Sequence, residues 1–126
     1  MKLDVKGRLL FASATVVHCG LMIEIDSMLI DTGSGGTVLA ADKMAEIDVA
    51  PEPEDKLRRI AGVGGAEYVF EKKIDRLSVG ELSLESFTVE IGALDYGFEI
   101  NGIIGLDFLR TTRSLIDLAE LDLRRA

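Results

Sequence analysis

Apolar residues recur mostly at every second position along this chain, so the pattern predicts strands more than helices. Leu82 to Ile91 shows it best. Leu82 and Leu84, then Phe87, Val89 and Ile91, alternate with polar residues for most of that length, as in a half-buried strand. Residues Arg8 to Val17 are rich in Leu, Val, Thr and Ala and read as a strand with imperfect alternation. His18-Cys19-Gly20 reads as a turn, and Leu21 to Asp26 as the return strand of a hairpin. Ser27 then leads into Met28-Leu29-Ile30, an apolar run that ends at Asp31. Leu57 to Phe70 predicts a long hairpin with a glycine-rich tip at Gly62 to Gly65. Glu71 to Leu82 continues as strand, with Ile74, Leu77 and Val79 apolar, and turns at Gly80. Gly102-Ile103-Ile104-Gly105 reads as a short apolar strand bracketed by glycines. Leu115, Ile116, Leu118, Leu121 and Leu123 suggest a terminal hairpin turning near Ala119-Glu120.

Helical spacing is confined to two places. Apolar residues at 40, 44 and 47, among good helix formers, predict a helix of about two turns. Leu106 to Arg110 fits one turn. Residues 48–55 hold both prolines, Pro51 and Pro53, among acids, and form a loop. Gly92 to Asn101 is a connection containing Tyr96 and Phe98. There are no repeats. The prediction is a mainly β architecture with about two short helices.

The 126 residues are the size of one domain, taken as 1–126. At 48% hydrophobic but 6% aromatic, without Trp, the core must be built from Leu, Ile and Val. The net charge of −8 argues against a nucleic-acid partner. The nearest thing to a basic cluster, Lys56, Arg58 and Arg59, reads as a solvated edge. Cys19 and His18 are the only residues of their kinds. No intrachain disulfide is possible, which fits a reducing compartment. Zinc sites built on Cys and His are excluded by count, and no metal or cofactor is expected. His18 is read as an exposed turn residue without a titratable partner. The N-terminus, Met1 to Lys6, is too polar for a signal peptide, and no apolar run approaches the ~18 residues of a membrane span. A soluble cytoplasmic domain is expected.

Candidate chemistry gathers at Asp31-Thr32-Gly33-Ser34-Gly35-Gly36. An apolar strand delivers one carboxylate into a glycine-rich turn, which fixes the acid and lets the following amides point at it. Taken alone, such a stretch is an ordinary turn. Other motifs fail. Neither glycine cluster completes Gly-x-Gly-x-x-Gly, because the sixth positions are Val38 and Glu67, and neither carries the Lys-Ser/Thr of a P-loop. Ser34 lacks the glycine at position 32 that a nucleophile elbow needs. No calcium loop is present, and the 22 acids offer no way to choose a glycosidase pair.

Three features in order carry a stronger signal. Asp31-Thr32-Gly33-Ser34 ends an apolar strand, a glycine-tipped hairpin follows about thirty residues later, and Gly102-Ile103-Ile104-Gly105 follows about forty beyond that. From roughly Leu21 to Leu118 the chain resembles the retropepsin-like aspartic proteases, the single-lobe relatives of pepsin, and among them small stand-alone prokaryotic members. The resemblance implies a closed β-barrel-like fold with Ile103-Ile104-Gly105 beside the Asp31 loop and Asp107 to Arg110 as the C-terminal helix. It implies Asp31, Thr32 and Gly33 as the catalytic motif. Ser34, the flap Gly62, Val63, Gly64 and Gly65, and Ile104 would meet a peptide substrate. Such chemistry needs two carboxylates facing one water. This chain has one Asp-Thr-Gly, so the resemblance implies a homodimer with Asp31 from each copy on the axis. Thr32 would brace the two loops across it.

Two positions depart from the viral pattern. Where viral members commonly carry an acid and an arginine that pair, this chain has Gly35 and Leu106. Both partners are missing together, so no charge is stranded. Three readings follow: a homodimeric aspartic endopeptidase, an inactive peptide-binding or dimerisation module on the same fold, and an unrelated β domain.

Overall fold

In a computed structural model that describes residues 1–62, 65–95 and 98–126, most of the expected strands assemble into one sheet that closes on itself. β1 (Asp4–Lys6), β2 (Leu9–His18) and β3 (Leu21–Ile30) form consecutive hairpins. β4 (Val38–Ala40) runs into the helix α1 (Ala41–Ala45). β5 (Leu57–Gly62), β6 (Gly65–Val79) and β7 (Leu82–Gly92) form an antiparallel meander. β8 (Gly102–Ile104) leads into α2 (Leu106–Thr111), and β9 (Ser114–Asp117) and β10 (Asp122–Arg125) close the chain as a separate hairpin. The sheet order is β1-β2-β3-β8-β4-β7-β6-β5. A further pairing of β2 with β6, Thr15 opposite Ser78 through Val17 opposite Arg76, closes six of these strands into a barrel. The mainly β barrel with two short helices is therefore borne out.

Several boundaries differ from the sequence reading, each for a local reason. His18 is not a turn residue but the last residue of β2, paired with Leu21. The turn is Cys19-Gly20 alone, with φ of 49° and 79°, the doubly left-handed geometry that suits the twist of a two-residue hairpin. β3 does not stop at Asp26. The β2–β3 register shifts between Ala12 opposite Met28 and Ala14 opposite Ile25, and Ser27 sits at that bulge with φ of 55°. The bulge flips the buried face, so Ile25, Ser27, Met28 and Ile30 are all buried along one strand. α1 is shorter than expected and begins at Ala41. Ala40 stays extended because its amide donates to the Asn101 carbonyl. β1 has no counterpart in the sequence reading. The glycine turn at Gly80 (φ 59°) and the terminal turn around Ala119-Glu120, where the Asp117 carboxylate accepts both amides, fall where expected.

The core is aliphatic. Val16, Met28, Leu39, Ile74, Leu77, Leu82, Ile91 and Ile104 are fully buried. α2 closes one end of the barrel, with Phe108 buried and packed edge-on against Phe87 at 6.0 Å between ring centres. At the termini, Lys2 bridges Asp122, Leu3 N–H donates to the Leu121 carbonyl and Leu123 N–H to that of Met1.

Candidate active site

Asp31 sits where β3 hands the chain across β8. β3 and β8 run parallel, Met28 opposite Gly102 and Ile30 opposite Ile104, while β4 pairs with β8 antiparallel on its other side. The loop 31–37 must therefore pass over the end of β8. Backbone bonds pin it there. Asp31 N–H donates to the Ile104 carbonyl at 3.0 Å, and Leu106 N–H donates to the Ser34 carbonyl at 2.7 Å. The fit is close at two glycines. A Cβ on Gly105 would run into the backbone of Gly36 and Ser34, and one on Gly102 into Met28 and the Val38 carbonyl. Ile103-Ile104-Gly105 thus packs beside the Asp31 loop, as the resemblance implies.

The half-buried Asp31 carboxylate accepts the Gly33 amide on Oδ1 at 2.9 Å. Its Oδ2 has no protein partner among the described residues. Ser34 braces the loop internally, its amide on the Asp31 carbonyl and its hydroxyl on the Gly36 carbonyl at 2.8 Å. Thr32 and Gly33 are exposed. Ile104 is wholly buried, so its side chain supports the loop from beneath, and its half-buried neighbour Ile103 is the one of the two that reaches the surface. In the glycine hairpin, Gly62 pairs with Gly65, while Val63 and Gly64 lie outside the described residues. So does Tyr96. β7 stops opposite Val69, so from Tyr68 back to Gly65 the only described partner of β6 is β5.

Three supporting groups escaped the sequence reading. The buried Thr37 hydroxyl accepts the Gly105 amide at 3.1 Å and donates to Asp107 Oδ1 at 2.8 Å. Glu90 on β7 is buried beside Gly36 and held in a two-pronged pair by Arg58 of β5, with contacts of 2.6 to 2.9 Å. That bond raises the Arg58 guanidinium pKa further. Arg58 is thus not a free solvated charge but ties the hairpin arm to the floor of the loop. Third, Leu9, Phe11 and Phe98, with Lys6, Arg8 and Glu99 at the rim, line an apolar recess of about 610 Å³. Phe11 pairs with Leu29, which sets this recess alongside the strand that delivers Asp31. Exposed Phe98 was its one sequence signal. Gly35 and Leu106 lie together on a second, more polar recess with Asp107, Arg110 and Thr111.

Comparison with known proteins agrees with this geometry. The family model described as aspartyl protease matches residues 14–108. Polyporopepsin of Irpex lacteus is 32% identical over 85 residues, covering 64% of this chain and 24% of that protein. The chain thus spans about a quarter of the length of this curated relative.

Proposed function

Because this chain belongs to the aspartyl protease family, we propose that it hydrolyses peptide bonds as a homodimer, with Asp31 of each copy forming the catalytic pair. One observation carries the reading. The chain offers a single Asp-Thr-Gly acid, pinned at the β3–β8 crossing, with one carboxylate oxygen bonded internally and the other free of partners among the described residues. One carboxylate cannot serve as both acid and base. Two of them facing a water cannot both stay charged, so one keeps its proton. The ionised Asp31 takes a proton from the water, which attacks the peptide carbonyl. The protonated partner donates to the carbonyl oxygen, and a proton then passes to the leaving amine as the C–N bond breaks.

The surroundings support this arrangement. Thr32 stands exposed next to the acid, on a recess of about 400 Å³ whose apolar wall is Leu106, Leu109 and Ile116. Packing that face against its symmetry mate would bring the two acids together, with Thr32 bracing the loops. The glycine hairpin, Gly62 to Gly65, would close over an extended peptide and offer amides to its backbone. The recess at Phe11 and Phe98 would take an apolar side chain. The test compares wild type and Asp31→Asn on a peptide library from acid to neutral pH. Wild type should cleave, with the variant slower by at least about a thousandfold. No cleavage at any pH, or equal cleavage by both, overturns the proposal. A dimer that binds peptides without cutting them would be the binding module instead.

A further inference from the structure

The tip of the β2–β3 hairpin carries the chain's one histidine, at the end of β2, and its one cysteine, in the turn, and the barrel closure brings β6 against it. Val17 pairs with Arg76, so His18 comes level with Asp75. The shape of β6 turns that acid outward. Ile74 and Leu77 are both fully buried, so the alternation breaks between them and Asp75 and Arg76 both face solvent. Ser86, on the neighbouring strand at that point, has φ of 51°.

Three kinds of donor atom converge there. A His18 ring nitrogen, the Cys19 sulfur and an Asp75 carboxylate oxygen lie within 4.8 Å of one another. Two details separate the trio from chance neighbours. Asp75 Oδ2 accepts the Cys19 amide at 2.8 Å, which anchors the carboxylate. His18 Nδ1 is buried without a hydrogen-bond partner among the described residues, and it faces Asp75 Oδ1 at 3.8 Å. That distance is beyond hydrogen-bond reach, and a buried polar atom left unpaired needs a reason. Two ligands bonded at about 2.1 Å to one tetrahedral ion stand roughly 3.4 Å apart, close to the 3.8 Å between His18 Nδ1 and Asp75 Oδ1.

We propose that His18, Cys19 and Asp75 bind a transition-metal ion of the Zn²⁺ class, with a fourth position left to water. A thiolate and an imidazole favour such ions over Mg²⁺ or Ca²⁺. The ion would stitch the β2–β3 turn to β6 at the seam where the barrel closes. Counting Cys and His along the sequence misses such a site because its third ligand is an acid 56 residues beyond Cys19.

The experiment uses the full chain with Asp31→Asn, which removes the proposed protease activity and its carboxylate as a competing ligand. Zn²⁺ alone is titrated while alkylation of Cys19, the only thiol, is followed. One ion should bind per chain, and alkylation should slow about tenfold at ten times the dissociation constant. His18→Gln and Asp75→Asn should each weaken protection by about tenfold or more. Mg²⁺ should give none, and Co²⁺ should produce a thiolate-to-metal charge-transfer band. Alkylation unchanged up to millimolar Zn²⁺ overturns the site. So does protection that survives both substitutions, which would mean that the thiol binds alone.

Discussion

Gly105 packs on the loop that holds Gly35, and the two glycines differ in what surrounds them. A side chain on Gly105 would meet the backbone of Gly36 and Ser34, which cannot move without dragging the Asp31 loop. Nothing lies within 4 Å of the same position on Gly35. Gly105→Ala should therefore cost about 3 kcal/mol and lower the melting temperature by roughly 10 °C, read by thermal unfolding. Gly35→Ala should stay within about 0.5 kcal/mol of the parent. If the two behaved alike, the crossing would not be tightly packed. The same contrast governs what could be read from sequence. The Gly33 amide reaches an Asp31 oxygen two residues away, so Asp-Thr-Gly-Ser carries its own geometry. The Thr37 hydroxyl works just as closely on the loop, but its partners are 68 and 70 residues away. Nothing in Thr37-Val38-Leu39 marks it.

The hairpin arm of β5 and β6 is held to the body by charge as well as by strand pairing. Arg58 grips Glu90, and Lys72 of β6 bonds Glu52 at 2.6 Å and Asp55 at 2.8 Å in the proline loop. A double-mutant cycle on Arg58→Ala and Glu90→Gln, scored by urea midpoints, should return a measurable favourable coupling, because the pair is two-pronged. Zero coupling would make the pair a bystander. Lys72 supplies the pH dependence. Its hydrogen bond is the main reason that the carboxyls of Asp55 and Glu52 are held below their ordinary values of 3.8 and 4.5. A carboxyl lowered on folding stabilises above its unfolded value and loses that contribution as pH falls through the folded one. Asp55→Asn should thus be less stable than wild type at neutral pH, and the difference should close as the pH drops below 3.8. A deficit that persists into strong acid would assign the loss to packing. At this scale the hairpins were readable because their turns announce themselves, through Gly20, Gly80 and the glycines at 62 and 65. The bulge at Ser27 was not, because it makes one strand look like two. Nor was β1, whose three residues, Asp4 to Lys6, are all exposed and leave no burial pattern.

For the whole molecule, closure of six strands depends on pairings between distant segments, β2 with β6 and β3 with β8. The alternating pattern revealed the strands but not who pairs with whom. The resemblance, through three glycine-marked motifs, implied a closed barrel with Ile103-Ile104-Gly105 beside the Asp31 loop, and the structure agrees with both. The barrel closes on itself and carries one Asp-Thr-Gly acid, and the proposed protease pairs that acid with the same acid of a second chain. This makes activity depend on how chains are mixed. If wild type and Asp31→Asn exchange freely at a constant total concentration, an equal mixture holds wild-type pairs at on the order of a quarter of all dimers. A dyad across the axis therefore predicts about a quarter of the full rate, because mixed pairs lack one acid. A site complete within one chain predicts half. Dilution separates the cases again: the rate per chain should fall as dimers part, while a self-contained site would hold it constant. A half-rate mixture with a dilution-independent specific activity would place the second catalytic group inside this chain and leave Asp31 without its symmetric partner.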